Sequence, residues 1–291
     1  TTLSRAFSRY PKYFDRFYCN LVSAGEMGGV LESLLDKLAV YKEKTQSIRK
    51  KVKTALTYPI SVIAVAIGLV FVMMIFVLPA FKEVYSNMGA ELPALTQAVM
   101  DISEFFVAYG WIILIALGCS IYGFLKLKER SPKIQRRMDA LLIRMPIFGE
   151  IVRKATIARW GRTTATLFAA GVPLVDVLDS TAGAAGNIIY EEATHEIRTR
   201  VIQGMSMTSG MRATELFPNM MVQMASIGEE SGSLDDMLNK ASEFYEDEVD
   251  NAVGRLSAMM EPIIIVVLGL IIGTLLVAMY LPLFNLGSVI G

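Results

Sequence analysis

Two kinds of hydrophobic pattern alternate along this chain. Three stretches carry no charged residue, at 54–81, 105–125 and 262–291. Each is long enough for the roughly 20 residues that a helix needs to cross the hydrocarbon core of a membrane. We therefore predict transmembrane helices at 54–81, 105–125 and 259–285.

The rest of the chain has apolar residues spaced three and four positions apart, which is typical of amphipathic helices. This spacing predicts a six-helix domain at 126–258 and a helix pair at 1–53, with no strands. Asn187 is placed to cap the fourth helix of the six, which should run to about Met207, followed by a turn at 208–210.

The sixth helix of that domain begins after Ser233, with Asp235 and Asp236 in its first turn, where the helix dipole favours anions. No residue that would end it occurs before Pro262. The sequence thus predicts one long helix that leads from the domain into the third span.

An internal repeat organises these elements. Residues 14–81 align without a gap with residues 217–284, at a constant offset of 203. The recurring positions include a Gly-Glu-x-x-Gly sequence and the prolines at both ends of a span. They are Gly25, Glu26, Gly29, Pro59 and Pro79 in the first copy, and Gly228, Glu229, Gly232, Pro262 and Pro282 in the second.

The repeat predicts the fold class: an all-α membrane protein with two homologous cytoplasmic helical-bundle domains and three transmembrane helices. At the same offset, 1–53 lacks the equivalents of 146–203. A lone helix pair has too little core to bury both of its apolar faces. We therefore expect 1–53 to be a truncated first domain whose natural N-terminal segment is missing.

Charge predicts the orientation of the spans. The chain is 53% hydrophobic with zero net charge, but its basic residues cluster before the first span and after the second. The positive-inside rule then places the N-terminus and 126–258 in the cytoplasm, and 82–104 and 286–291 in the periplasm. Basic clusters can also bind nucleic acid, but beside spans they are better explained by topology and contact with anionic lipids. We expect membrane lipids as partners and no nucleic acid.

Glycines at this spacing could form a phosphate-binding loop, but no Lys-Ser/Thr pair follows either Gly-Glu-x-x-Gly sequence and no strand precedes it. We predict instead that each forms a helix–helix turn with positive φ, and that Glu26 and Glu229 cap or brace it.

The sequence offers few other candidates for a metal site or an active site. The acidic residues around Glu229 lack EF-hand spacing, and His195 is the only histidine. We predict no catalytic residue, cofactor or metal.

The third span contains Gly269 and Gly273 in a GxxxG arrangement. Small residues at this spacing let helices approach closely, which favours contact with another span, within the chain or across a dimer. Parallel repeats also occur in transporters, so a transporter or channel is an alternative function. The spans contain no charged residue that would mark a substrate site.

Several motifs together resemble one family. They are a basic residue at Lys53, Tyr58-Pro59 where the first span starts, Val77-Leu78-Pro79 where it ends, and the two Gly-Glu-x-x-Gly sequences. This set is similar to the type II secretion F / type IV pilus assembly platform family, and most of all to its type IV pilus branch.

The resemblance implies a non-enzymatic, multi-pass protein of the bacterial inner membrane with a cytoplasmic N-terminus and a periplasmic C-terminus. Its implied partners are a hexameric cytoplasmic ATPase, the transmembrane helices of pilin or pseudopilin, and other inner-membrane assembly proteins. A dimer or higher oligomer would suit a symmetric motor. Charge and position suggest Arg136, Arg137, Arg153 and Arg159 as candidates for docking the ATPase.

Overall fold

The computed structural model describes residues 2–10, 13–14, 16–29, 31–77, 79–80, 83, 93–130, 132–146 and 148–289. Within these residues the chain is helical and forms no strand, which confirms the predicted all-α class. The helices are α1 (Leu3–Phe7), α2 (Arg16–Gly28), α3 (Leu31–Val72), α4 (Ala94–Arg130), α5 (Pro132–Arg144), α6 (Phe148–Phe168), α7 (Leu174–Ala184), α8 (Ile188–Ile202), α9 (Met207–Thr214), α10 (Asn219–Ser231) and α11 (Leu234–Val289). A π-helix at Met73–Val77 follows α3 directly.

The helices form two compact units, each described here by itself. The first unit contains Thr1–Lys53 and Ser131–Gly254, and the second contains Thr54–Arg130 and Arg255–Gly291. The N-terminal helix pair therefore belongs to the same unit as the predicted six-helix domain. The predicted division into two homologous domains is based on the duplication of the sequence, which these compact units do not test. That division therefore stays a prediction.

The main hydrophobic core of the first unit is built by α6 to α11. Trp160 lies fully buried within it, with its ring 4.6 Å from the ring of Phe217. The indole N–H of Trp160 donates a hydrogen bond to the Thr194 hydroxyl at 3.0 Å. The buried polar group is thus satisfied, and α6 is held in a fixed register against α8.

A second core joins the N-terminal helix pair to α6 and α7. The rings of Phe17 and Tyr41 lie 4.2 Å apart at its centre. The buried residues of this core are Phe17, Leu21, Leu34, Leu38, Tyr41, Leu167 and Val177. The apolar faces that the pair cannot bury alone are therefore covered by α6 and α7.

The connection between α8 and α10 differs from the prediction. The Asn187 cap is confirmed, because its side chain accepts a hydrogen bond from the N–H of Ile189 at 3.0 Å. However, α8 ends at Ile202, and Gly204 then adopts a φ of 87°. The predicted turn at 208–210 is wrong, since these residues belong to the helix α9.

The second unit contains segments that are able to span a membrane. By length and composition, the described residues include two such helices, at Leu31–Val77 and Leu234–Leu281. The latter confirms that one continuous helix passes through Pro262. The third predicted span, at 105–125, lies within α4 and stays a prediction. Because α4 begins at Ala94, the last part of the predicted periplasmic loop is helical.

Two hydroxyl groups of α4 form hydrogen bonds with the two repeated helical segments of this unit. The Ser103 hydroxyl donates a hydrogen bond to the carbonyl of Met74 at 2.9 Å, inside the π-helix. The Thr96 hydroxyl donates to the carbonyl of Ala278 at 2.6 Å. Both bonds are buried, so they satisfy polar groups in an apolar setting where water is excluded.

Candidate functional site

The repeated Gly-Glu-x-x-Gly sequence lies at a helix–helix connection in both copies. Gly29 follows α2 with a φ of 68°, and Gly232 caps α10 with a φ of 71°. Glycine adopts this left-handed conformation without the steric cost that a Cβ would add. Beyond Gly232, the N–H of Ser233 donates to the carbonyl of Gly228 at 3.0 Å, which satisfies one of the last carbonyls of the helix.

The first glycine of each motif has a different role, because it lies inside a helix. A Cβ added to Gly228 would lie 2.7 Å from the Cα of Leu234, and one added to Gly25 would lie 3.1 Å from the Cα of Leu31. These neighbours are backbone atoms of the next helix, so no rotamer change would make room. Gly25 and Gly228 thus permit the close approach of α2 to α3 and of α10 to α11.

Glu229 caps the N-terminus of α9, and not its own turn as we predicted. Its carboxylate accepts hydrogen bonds from the N–H groups of Met207 at 2.6 Å and Thr208 at 3.0 Å, and from the Thr208 hydroxyl. The first N–H groups of a helix lack partners within the helix, and the helix dipole favours an anion beside them. The carboxylate therefore fixes α9 to α10.

Glu26 makes the same contacts with α1. It accepts from the N–H of Ser4 at 3.1 Å, from the Ser4 hydroxyl at 2.7 Å and from the N–H of Leu3 at 2.5 Å. These bonds, and above all the one from the Ser4 hydroxyl, lower the pKa of Glu26. The stabilisation that the ionised Glu26 gives to the folded state is therefore present above the usual carboxyl pKa. It is lost as the pH falls through the lowered pKa of Glu26.

The repeat extends further upstream than the sequence alignment indicated. Thr2 accepts a hydrogen bond from the N–H of Arg5 at 3.4 Å, and Ser206 accepts one from the N–H of Ser209 at 3.1 Å. These matching N-caps are 204 residues apart, one more than the offset of the downstream repeat. The one-residue shift explains why an ungapped comparison missed the helices α1 and α9.

A buried ion pair links α6 to α11, and sequence reasoning did not find it. Arg162 is 8% exposed, and its Nε and Nη2 donate to one carboxylate oxygen of Glu246 at 3.0 and 2.8 Å. Its Nη1 donates to the side chain of Asn239, and Lys44 of α3 lies 3.6 Å from Glu246. The available signal was that Arg162 is the only charged residue in the sequence of 160–175.

The four candidate docking arginines divide into two groups. Arg136 and Arg137 of α5 and Arg153 of α6 are exposed. Arg136 pairs with Glu192 of α8 at 3.0 Å on the surface. Arg159 is half-buried, and its Nη1 donates to the carbonyl of Ala185 at 3.5 Å, just after α7. The first three are therefore better placed to contact a partner.

The four prolines of the repeat have different surroundings. Pro59 is buried within α3, whereas Pro262 is exposed within α11. Pro79 is exposed after the π-helix, and the side chain of Pro282 lies outside the described residues.

The GxxxG glycines of the third span are not packed against other described residues. A Cβ added to Gly269 or Gly273 meets no heavy atom within 4 Å. No within-chain contact therefore accounts for the motif in the described part of the chain, and a contact across a dimer stays a prediction.

Among the described residues, no group of three or more His, Cys, Asp and Glu side chains is arranged to hold a metal ion. His195 is exposed on α8.

Comparison with known proteins defines the class. The family model for type II secretion system protein F matches residues 1–79 and 160–282. The chain belongs to this family, which confirms the resemblance seen in its sequence motifs.

Individual relatives support the pilus branch of the family. The chain is 50% identical over 290 residues to the type IV pilus assembly protein PilC of Pseudomonas aeruginosa, covering 100% of the chain and 78% of that protein. It is 43% identical to the type IV pilus assembly protein TapC of Aeromonas hydrophila, covering 100% of the chain and 70% of the relative. Identity to the type II secretion system protein F of Pseudomonas aeruginosa is 30%, covering 100% and 71%.

Proposed function

We propose that this protein is an inner-membrane platform of a type IV pilus machine that couples a cytoplasmic hexameric ATPase to the insertion or extraction of pilin. It performs this role without enzymatic activity of its own. The observation that carries the proposal is the repeated helical unit that leads into an apolar span, in a chain of the type II secretion F family. The chain has higher sequence identity to type IV pilus assembly proteins than to the type II secretion system protein F. This difference favours a role in the pilus machine over a role in the secretion system.

The proposal includes three spans with a cytoplasmic N-terminus and a periplasmic C-terminus. It is supported by the basic clusters on one side of the first two spans. Cysteine labelling in intact cells tests it on a background in which the native cysteines are replaced. Glu83→Cys should react with a membrane-impermeant maleimide, and Ser231→Cys should react only after the cells are lysed. The opposite pattern would contradict the topology.

The exposed arginines of α5 and α6 are the proposed docking surface for the ATPase. Replacing Arg136, Arg137 and Arg153 together with glutamate should remove co-purification of the ATPase with the full-length protein, because complementary charge governs encounter and register. Lys240→Glu, an exposed charge reversal on α11, is the matched control and should leave co-purification unchanged. Retention of the ATPase by the triple variant would reject this surface.

A further inference from the structure

The helix α5 turns a carboxylate toward the rest of its unit and leaves an apolar side chain outside. Asp139 is 4% exposed, and its carboxylate accepts a hydrogen bond from the N–H of Ile188, in the first turn of α8, at 3.1 Å. Ile143, one turn later on the same face, packs against the main core. Leu141 lies two residues after Asp139, about 200° further round the helix, and is 64% exposed. Its side chain therefore points away from the core.

Leu141 belongs to a strip of exposed side chains along the outside of α5. Residues three and four positions apart are neighbours on a helix surface. Arg137 precedes Leu141 by four positions, and Arg144 and Met145 follow it by three and four. All four side chains are exposed. The N–H of Met145 donates to the carbonyl of Leu141 at 3.0 Å, so the last turn of this surface, the outer strip of α5, is helical.

The charge of α5 is complementary to an anionic surface. Asp139 is the only acidic residue in the helix and is buried. The other charged residues of α5 are Lys133, Arg136, Arg137 and Arg144. Basic residues beside an apolar strip are typical of helices that lie in the headgroup region of a membrane. The cytoplasmic leaflet carries anionic lipids, which attract lysine and arginine near its surface.

The chain connection keeps α5 close to the membrane. The charge-free stretch 105–125 is a predicted span, and α4 continues as a helix to Arg130. The helical residues after 125 and the two steps to Pro132 together span at most about 15 Å. The headgroup region is roughly 5–8 Å thick on each side of the ~30 Å hydrocarbon core. The first turn of α5 therefore begins at the headgroups or just beyond them.

The size of the strip argues against a protein partner. A stable protein interface buries about 800 Å² on each side. Leu141 and Met145, which are 64% and 39% exposed, supply only a small part of that area. Contact with a membrane needs no such minimum, because the predicted spans already anchor the chain.

We propose that the outer strip of α5 lies in the headgroup region of the cytoplasmic leaflet. Its two apolar side chains insert toward the acyl chains, and Arg137 and Arg144 contact anionic headgroups. The inference rests on the proposed function in one respect, the cytoplasmic end of the span at 105–125. The proposed ATPase surface shares only Arg137 with the strip, because Arg136 and Arg153 lie outside it.

Fluorescence quenching of the full chain in nanodiscs of phosphatidylethanolamine and phosphatidylglycerol tests the proposal. A polarity-sensitive dye is attached to Leu141→Cys, after the native cysteines are replaced. Ile227→Cys is the matched control, because Ile227 is 51% exposed and lies four residues before the end of α10. About 40 Å of α11 separates the start of that helix from the predicted span at 259–285.

A nitroxide at the headgroup end of the lipid acyl chains quenches dyes at the boundary between headgroups and acyl chains. We expect quenching at position 141 to be about threefold stronger than at position 227, since an interfacial helix buries its apolar face about 5–10 Å into that boundary. Equal quenching at the two positions would overturn the proposal. Nanodiscs without phosphatidylglycerol should weaken the quenching at position 141, and unchanged quenching there would overturn the role of the two arginines.

Crosslinking in native membranes separates lipid from protein as the partner. A photoreactive phenylalanine analogue replaces Leu141 or Ile227 in the full chain, and both positions are exposed, so neither change disturbs the core. Irradiation should join position 141, and not position 227, to phospholipid. An adduct of position 141 with another protein in place of lipid would overturn the proposal.

Failure of this inference is distinguishable from failure of the proposed function. A chain whose position 141 contacts lipid but which is dispensable for pili contradicts only the platform role. A chain that is required for pili but whose position 141 is quenched no more than position 227 contradicts only the membrane contact of α5.

Discussion

At the scale of single residues, the two glycines of one Gly-Glu-x-x-Gly sequence have different structural roles. Gly232 is needed for its backbone conformation, whereas Gly228 is needed because the next helix leaves no room for a Cβ. The sequence motif shows both positions but does not distinguish their roles, since the second role depends on how closely α10 and α11 pack.

We expect Gly228→Ala to lower the free energy of unfolding by about 1–3 kcal/mol, because the added Cβ would displace the backbone at Leu234. Gly183→Ala, within α7, is the control. Its Cβ meets no atom within 4 Å, and alanine should raise stability there by about 0.5–1 kcal/mol. Denaturation of the full chain in detergent, followed by circular dichroism, measures both. Changes of the same sign would contradict the close-approach role.

Glu229 should stabilise α9 through its cap. Glu229→Ala is expected to cost about 1.5–3 kcal/mol, because it removes charge-assisted hydrogen bonds to the helix N-terminus. Hydrogen exchange at the amides of Met207 and Thr208 should accelerate, and Glu229→Gln should recover part of the protection. Glu230→Ala, at the exposed neighbouring position, should change stability by less than about 0.5 kcal/mol. Unchanged exchange in Glu229→Ala would show that the cap is not stabilising.

At the scale of helices, the sequence predicted those elements whose ends are marked locally. Asn187 caps α8 as expected, and α11 passes through Pro262 as one helix. The helix α9 was missed because Thr208, Ser209 and Gly210 favour a turn by intrinsic propensity. Its N-terminus is capped by Glu229, which lies about twenty residues away in the chain and is brought to it only by folding.

Removing only one partner of the ion pair between α6 and α11 should lower the free energy of unfolding. Arg162→Met is expected to lower stability by about 3–5 kcal/mol, because it leaves the Glu246 carboxylate without its main partner. Adding Glu246→Leu should restore most of that loss, since both charges are then removed. A double-mutant cycle in the same unfolding assay measures the coupling. Additive losses would mean that the two side chains do not stabilise each other.

At the scale of the whole molecule, the internal repeat and the charge pattern carried the prediction of class and function. Family membership and the pilus branch are confirmed by the comparisons. The sequence did not predict that the helix pair at 1–53 belongs to the same compact unit as 131–254. That arrangement depends on contacts between apolar faces, such as Phe17 with Tyr41 against Leu167, and hydrophobic periodicity alone does not specify their partners.

The face of α11 that carries Gly269 and Gly273 is a candidate interface for self-association. Because Gly269 and Gly273 have open space beside them, we expect their joint replacement by leucine to reduce self-association in detergent. Mass photometry of the purified chain measures the oligomer distribution. Gly68→Leu, which adds similar bulk at an open position of α3, is the control and should leave the distribution unchanged. An unchanged distribution in the double variant would remove this face as an interface.

The platform role itself is tested most directly by deleting the gene in its own bacterium and counting surface pili by electron microscopy. We expect pili to be absent while the pilin and the ATPase are still produced and the pilin remains in the inner membrane. Re-expression of the gene from a plasmid should restore the pili. A wild-type number of pili in the deletion strain would contradict the platform role.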